Sequence, residues 1–250
     1  LICEAYHFMK DVLGMEQKDM AKVFDNWTRG DLDSFLIEVT KNILKFKDTD
    51  DQYLLPKIRD TAGQKGTGKW TSIAALDYGV PVTLIGEAVF ARCLSALKDE
   101  RLIANKSLPD ASMKFNGDRK QFLEHLRKAL YASKIISYAQ GFMLLREADK
   151  VHDWNLNYGS IALMWRGGCI IRSIFLDNIK EAYTTNPELP NLLLDPFFLE
   201  GMCSSIGSLR HAVAAAVLAG VPTPALSAAI SFYDAYRCKM LPANLLQAQR

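Results

Sequence analysis

The run Gly63-Gln64-Lys65-Gly66-Thr67-Gly68-Lys69-Trp70-Thr71 gathers residue types that hold anions: glycines that let backbone amides come close, a hydroxyl at Thr67, and cations at Lys65 and Lys69. A short helix through Ser72 to Leu76 follows, and its unpaired first amides would face the same bend. The phosphate loop of nucleotide hydrolases is excluded. It needs Ser or Thr directly after its lysine to hold Mg²⁺, whereas Trp70 stands there and no buried strand leads in. A solvated linker with two lysines uses the same residues, so the run alone leaves both readings open.

Downstream, Ile85, Val89, Arg92 and Ala96 recur at spacings of four, three and four, which puts Arg92 on an otherwise apolar stripe. An inward guanidinium needs a partner: either an internal carboxylate, or a ligand phosphate or carboxylate gripped bidentately. The four histidines (His7, His125, His152, His211) are far apart in sequence and form no i, i+4 pair, so no metal site is expected. Cys93 reads as a small core residue, and Arg166 and Arg172 as ties between helices. No Gly-rich turn follows a strand, so a dinucleotide fold is not expected within these residues.

The elements that must position these groups are helical. Apolar residues recur at helical spacing nearly throughout, and the predicted class is all-α, a large helical domain. Ile2, Ala5, Tyr6, Met9 and Val12 form one stripe, ended by Gly14. A second helix is expected over about Leu32 to Phe46, with Phe35, Leu36, Val39, Ile43 and Leu44 inward. After the cap-like Asn116-Gly117-Asp118, the pattern runs unbroken to about Val151. That predicts a central rod on the order of 50 Å at 1.5 Å per residue. Pro187, Pro190, Pro196, Pro222, Pro224 and Pro242 divide the remainder into shorter helices. Phe8, Trp27 and Phe35 are echoed by Phe142, Trp165 and Phe175 at offsets of 134, 138 and 140, compatible with a duplicated helical unit around the central helix.

Composition bounds the function. With 250 residues, 49% hydrophobic and 23% charged, the chain can bury a core without disulfides, and disorder is excluded. Thirty Lys and Arg against 28 Asp and Glu make no broad basic field, so nucleic acid is not an expected partner. Five scattered cysteines read as free thiols of a reducing compartment. The first apolar stretch is cut by Glu4, His7 and Lys10, and Ala212–Ala219 is under half the roughly 20 residues of a span. Neither a signal peptide nor a membrane helix is expected, and the expected location is cytoplasmic. Leu1 opens within a helical pattern, as in a piece of something longer.

Three sets of residues together carry a resemblance. They are Gly63 to Thr71, Tyr78-Gly-Val-Pro-Val-Thr-Leu-Ile-Gly-Glu-Ala-Val-Phe-Ala-Arg92, and Leu156-Asn-Tyr-Gly159 with Ile161-Ala-Leu-Met-Trp-Arg-Gly-Gly-Cys-Ile-Ile-Arg-Ser173. With Ser231-Phe-Tyr-Asp234 and Leu241 to Arg250, they make the chain resemble the 6-phosphogluconate dehydrogenase family over essentially its whole length. The resemblance implies the helical C-terminal domain, residues 1–250, of a homodimeric enzyme. That enzyme oxidatively decarboxylates 6-phosphogluconate to ribulose 5-phosphate and CO₂ while reducing NADP. It further implies that Lys65, Thr67 and Arg92 bind the sugar phosphate, and that Arg250 reaches the substrate of the other subunit.

The family's general-base lysine, acidic glutamate and His-Asn pair would precede Leu1. NADP would be held mainly by an N-terminal dinucleotide-binding domain, and a C-terminal tail with a substrate-binding histidine would follow Arg250. No catalytic residue is therefore expected in this chain, which should be inactive alone. Leu209 and Ala235 depart from the family's usual Trp and Gly, a matter of local helix packing. A non-catalytic dimerisation module, or a β-hydroxyacid dehydrogenase acting on another acid, are the alternatives.

Overall fold

Helical periodicity in the sequence becomes twelve helices in the structure, a computed structural model describing residues 1–250. They are α1 (Ile2–Asp11), α2 (Gln17–Trp27), α3 (Phe35–Lys45), α4 (Thr67–Asp77), α5 (Thr83–Ala96) and α6 (Lys98–Ser107). After these come α7 (Arg119–His152), α8 (Tyr158–Met164), α9 (Phe175–Thr185), α10 (Pro196–Leu218), α11 (Pro224–Tyr236) and α12 (Ala243–Ala248). Backbone β pairing is limited to two isolated bridges, Ser34 with Ser173 and Lys47 with Tyr53. No helix is long and apolar enough to cross a membrane.

The rod is α7, 34 residues long. Asp118 starts it by accepting the Gln121 amide at 2.6 Å, which satisfies one orphan donor of the first turn. Phe122, Leu126, Leu130, Ile135, Ala139 and Phe142 line its buried side, where α10 packs along it. Leu209 is fully buried on α10. Beside it Arg210 forks onto Asp234 of α11 at 2.9 and 2.7 Å. Pro196 and Pro224 occupy the first turns of α10 and α11, where a missing N–H costs nothing.

The echo between halves extends beyond the aromatic positions. Gly79 and Gly220, 141 residues apart, both end a helix at positive φ, +66° and +69°. Each is followed by Val-Pro and by the same closing bond, Val80 amide to Ala75 carbonyl at 2.7 Å and Val221 amide to Ala216 carbonyl at 2.9 Å. The helices that follow are also capped alike from across the molecule. The Leu84 amide of α5 donates to Gln140 Oε1 of α7 at 3.0 Å. The Ala225 and Leu226 amides of α11 donate to the Glu4 carboxylate of α1 at 2.7 and 2.9 Å. The halves meet at the Ser34–Ser173 bridge, through Phe35 amide to Arg172 carbonyl at 3.1 Å and Ile174 amide to Asp33 carbonyl at 3.3 Å.

Two expectations from the sequence need correction. The second predicted helix begins at Phe35, not Leu32, and Phe35, Leu36 and Ile43 face outward while Ile37 and Leu44 are buried. Leu32 is buried in the preceding turn, so the apolar stripe counted from it belonged to the wrong register. Cys93 is exposed and not a core residue, because α5 buries only its start, at Leu84.

Gln140 is fully buried and its Nε2 also donates to Thr83 Oγ1 at 3.0 Å. Gln140→Ala leaves the buried Leu84 amide without a partner and should cost about 1–3 kcal/mol in urea unfolding. An unchanged unfolding midpoint would show that α5 does not depend on this cap.

Candidate anion-binding site

Where α7, α8 and α10 close their first turns with Asp118, Asn157 and Asp195, α4 begins at Gly66 with no side-chain cap. The amides of its first turn therefore face the bend that carries Lys65 and Thr67, both exposed. The bend is shaped by contact. A Cβ on Gly68 would stand 2.8 Å from Val89 Cγ2 of α5, so only glycine allows this approach. A Cβ on Gly66 would meet the Trp70 ring at 3.4 Å.

The chain leading into the bend is held by side chains of α5 and α6. The Asp60 carboxylate takes Lys98 Nζ at 2.7 Å and Arg101 Nη2 at 3.1 Å. The same Nη2 donates to the Asp60 carbonyl at 3.2 Å and the Ser95 carbonyl at 3.0 Å. Ser95 Oγ accepts the Ala62 amide at 2.9 Å and donates to the Arg92 carbonyl at 2.7 Å. Lys98, and next Arg101, hold the Asp60 carboxyl down to about 2, below the ordinary carboxylate range.

Arg92 is placed differently from its sequence reading. It is exposed, and its companions Ile85 and Val89 are only half-buried, because the outer side of α5 is left open by this chain. The internal carboxylate that was one alternative is not there. Arg92 Nε instead donates to the Gly63 carbonyl at 2.7 Å, two residues before Lys65. That bond brings Arg92 to the bend and leaves its two terminal nitrogens uncommitted. Lys65, Thr67 and Arg92 thus share one corner of the fold. Arg250 makes no hydrogen bond to the bend: it follows α12, a helix with no buried residue, and bonds through its amide to the Gln247 carbonyl at 3.2 Å.

Groups elsewhere have other duties. Arg166 pairs with Asp177 at 2.8 Å and Arg172 with Glu38 at 3.3 Å, tying segments together as their positions suggested. His125 and His211 are brought together, their rings 4.6 Å apart, but no group of three or more His, Cys, Asp or Glu side chains converges. A cavity of about 630 Å³ lies between the end of α7, α8 and the end of α9. Two of its charged groups are engaged within the chain: Asp149 accepts the Tyr158 hydroxyl at 2.7 Å, and Arg146 donates to the Pro190 carbonyl.

Asp60, Ser95, Lys98 and Arg101 escaped the sequence reading. Ser95 was within reach of it, three residues after Arg92 on the same helix face. The pairing of Asp60 with residues 38 and 41 positions later leaves no local signal.

Fold and site together define an all-helical domain with a cationic, glycine-lined bend suited to an anion. A family model for 6-phosphogluconate dehydrogenase, C-terminal domain, matches residues 1–250, and the chain belongs to that family. It is 67% identical over 251 residues to a Homo sapiens protein named 6-phosphogluconate dehydrogenase, decarboxylating, and 66% identical to the Ovis aries protein of that name. Each alignment covers 100% of this chain and 52% of the relative, so the chain spans about half the length of these curated relatives. It superposes with a TM-score of 0.95 and 42% identity on a Plasmodium falciparum structure. That structure is described as 6-phosphogluconate dehydrogenase in its apo form, with its cofactor NADP+ and with its substrate 6-phosphogluconate. The match covers 100% of this chain and 54% of that one.

The lowered carboxyl of Asp60 has a sign: its contribution to stability is complete above the unfolded value of 3.8 and is lost as pH falls through about 2. Lys98→Ala should move the Asp60 titration up toward 3.8, read by carbon NMR of the labelled carboxyl. A midpoint that stays near 2 would show that Lys98 does not hold this charge.

Proposed function

We propose that this chain supplies the sugar-phosphate end of the active site in a decarboxylating 6-phosphogluconate dehydrogenase. The observation that carries the reading is the Arg92–Gly63 bond, which ties Arg92 to the chain two residues before Lys65 and beside the uncapped start of α4. A phosphate dianion there would meet a compact charge from Lys65, a planar fork from Arg92, the Thr67 hydroxyl and first-turn amides. Charge supplies most of the attraction, and the fork fixes the orientation.

The phosphate is remote from the reacting carbons, so gripping it serves to position the sugar acid. Orientation of this kind can supply roughly 7–11 kcal/mol of a barrier. The residues present do not fit NADP: the chain has no strand leading into a glycine-rich turn, only two isolated bridges. The reading assigns the nicotinamide, the general base and the general acid to the remainder of the full-length protein.

The same reading makes the enzyme a cytoplasmic homodimer of the pentose phosphate pathway. Its support is the apolar outer side of α4 to α6, where Leu76 is 84%, Phe90 65% and Ile103 67% exposed. Arg250 then serves the partner subunit's substrate.

In the full-length enzyme, Arg92→Ala and Lys65→Ala should each raise the KM for 6-phosphogluconate by one to two orders of magnitude, the loss of charged hydrogen bonds worth about 1.5–3 kcal/mol. Unchanged constants would favour a non-catalytic dimerisation module, and equal turnover of unphosphorylated acids would favour another β-hydroxyacid dehydrogenase. The polypeptide Leu1–Arg250 alone, given 6-phosphogluconate and NADP, should form no NADPH above background at 340 nm. Turnover by a preparation free of full-length enzyme would overturn the assignment of the proton-transfer groups.

A further inference from the structure

From Arg59 to Lys65 the chain makes no backbone–backbone hydrogen bond. A segment without helix or ladder bonds has many conformations of similar energy, and fixing each residue costs roughly 1–2 kcal/mol of entropy. This segment nevertheless delivers Lys65 and opens α4. What holds it is a set of side-chain bonds at Asp60, Ala62 and Gly63, all from α5 and α6.

We propose that Asp60, Ser95 and Arg101 are positioning residues for the phosphate-gripping bend. Arg101 joins the start of the strap to the end of α5 by donating to the Asp60 carboxylate, the Asp60 carbonyl and the Ser95 carbonyl through one nitrogen. Ser95 then accepts the Ala62 amide, and Arg92 donates to the Gly63 carbonyl. Lys65 lies two residues beyond the last anchor, within about 7 Å of chain. Its position is therefore set by the strap, and a displaced ammonium loses its charge-assisted hydrogen bond to the bound phosphate, which weakens binding.

A purely stabilising role is the competing account, and the exposure of Asp60 argues against it. Asp60 is exposed, and surface ion pairs contribute on the order of 0–1 kcal/mol to folding. Removing such a pair should leave the fold and release the loop. The proposal rests on the phosphate reading above, and its test separates the two.

The experiment uses the full-length dehydrogenase and compares Asp60→Asn, Ser95→Ala and Lys65→Ala with the parent. Steady-state constants are measured for 6-phosphogluconate, for unphosphorylated gluconate and for NADP, alongside the thermal midpoint. Asp60→Asn and Ser95→Ala should each raise the KM for 6-phosphogluconate about tenfold, with kcat changed less than about threefold. The NADP constant and kcat/KM for gluconate should not move, and Asp60→Glu should recover part of the loss.

If Lys65→Ala raises the KM while Asp60→Asn and Ser95→Ala lower only the thermal midpoint or the active fraction, the strap is structural and the proposal is wrong. If Lys65→Ala also leaves the KM unchanged, the phosphate reading itself fails. Should Asp60→Asn not fold, Ser95→Ala decides the question, because it removes one hydroxyl and no charge.

Discussion

A guanidinium has five N–H donors, and Arg92 spends one of them on the carbonyl of Gly63. That single bond joins the helix bearing one cation to the irregular chain bearing the other. Without it, Lys65 and Arg92 would belong to separate elements with no fixed relation. The bond in turn depends on where α5 starts, and that is decided far away, by the buried Gln140 side chain of α7. The central rod, α5 and the bend thus form one mechanical series. A polar residue in the middle of the core sets the place of a charged residue at the surface.

The two halves repeat one frame, and under the proposed reading only one of them holds an anion. Both halves end a helix at a glycine of positive φ, turn through Val-Pro and restart under a cap reaching in from the other half. In the first half the restarted helix presents Arg92 and Ser95. The corresponding positions 141 residues on are Tyr233 and Tyr236, and α11 spends its nearby charge on the Arg210–Asp234 fork within its own half. One copy binds an anion under the proposed reading, and the other is occupied with holding α10 against α11.

Much of the fold was legible because helical periodicity, proline placement and the Asp118 cap are local signals. The central helix came within a residue or two of its observed ends for that reason. The register of α3 was misread because Leu32, a buried turn residue, continues the apolar pattern without belonging to the helix. Arg92 was placed inward, whereas the structure leaves it exposed, since a sequence shows only that a face is apolar. Whether solvent, the same chain or another subunit covers that face is a property of the whole assembly. Ser95 could not be tied to Ala62, nor Lys98 and Arg101 to Asp60, because contacts across 33 to 41 residues depend on tertiary packing. The family motifs, being long, carried the identification where spacing alone left the glycine bend open.

The central claim is that the Asp60 to Thr67 bend and Arg92 form one phosphate grip. Its most direct test is a crystal structure of the full-length protein with 6-phosphogluconate bound. The account predicts the phosphate oxygens within hydrogen-bonding distance of Lys65 Nζ, Thr67 Oγ1 and the terminal nitrogens of Arg92, with Arg92 Nε still on the Gly63 carbonyl. A substrate phosphate bound away from these groups, with Arg92 paired to a protein carboxylate, would contradict it.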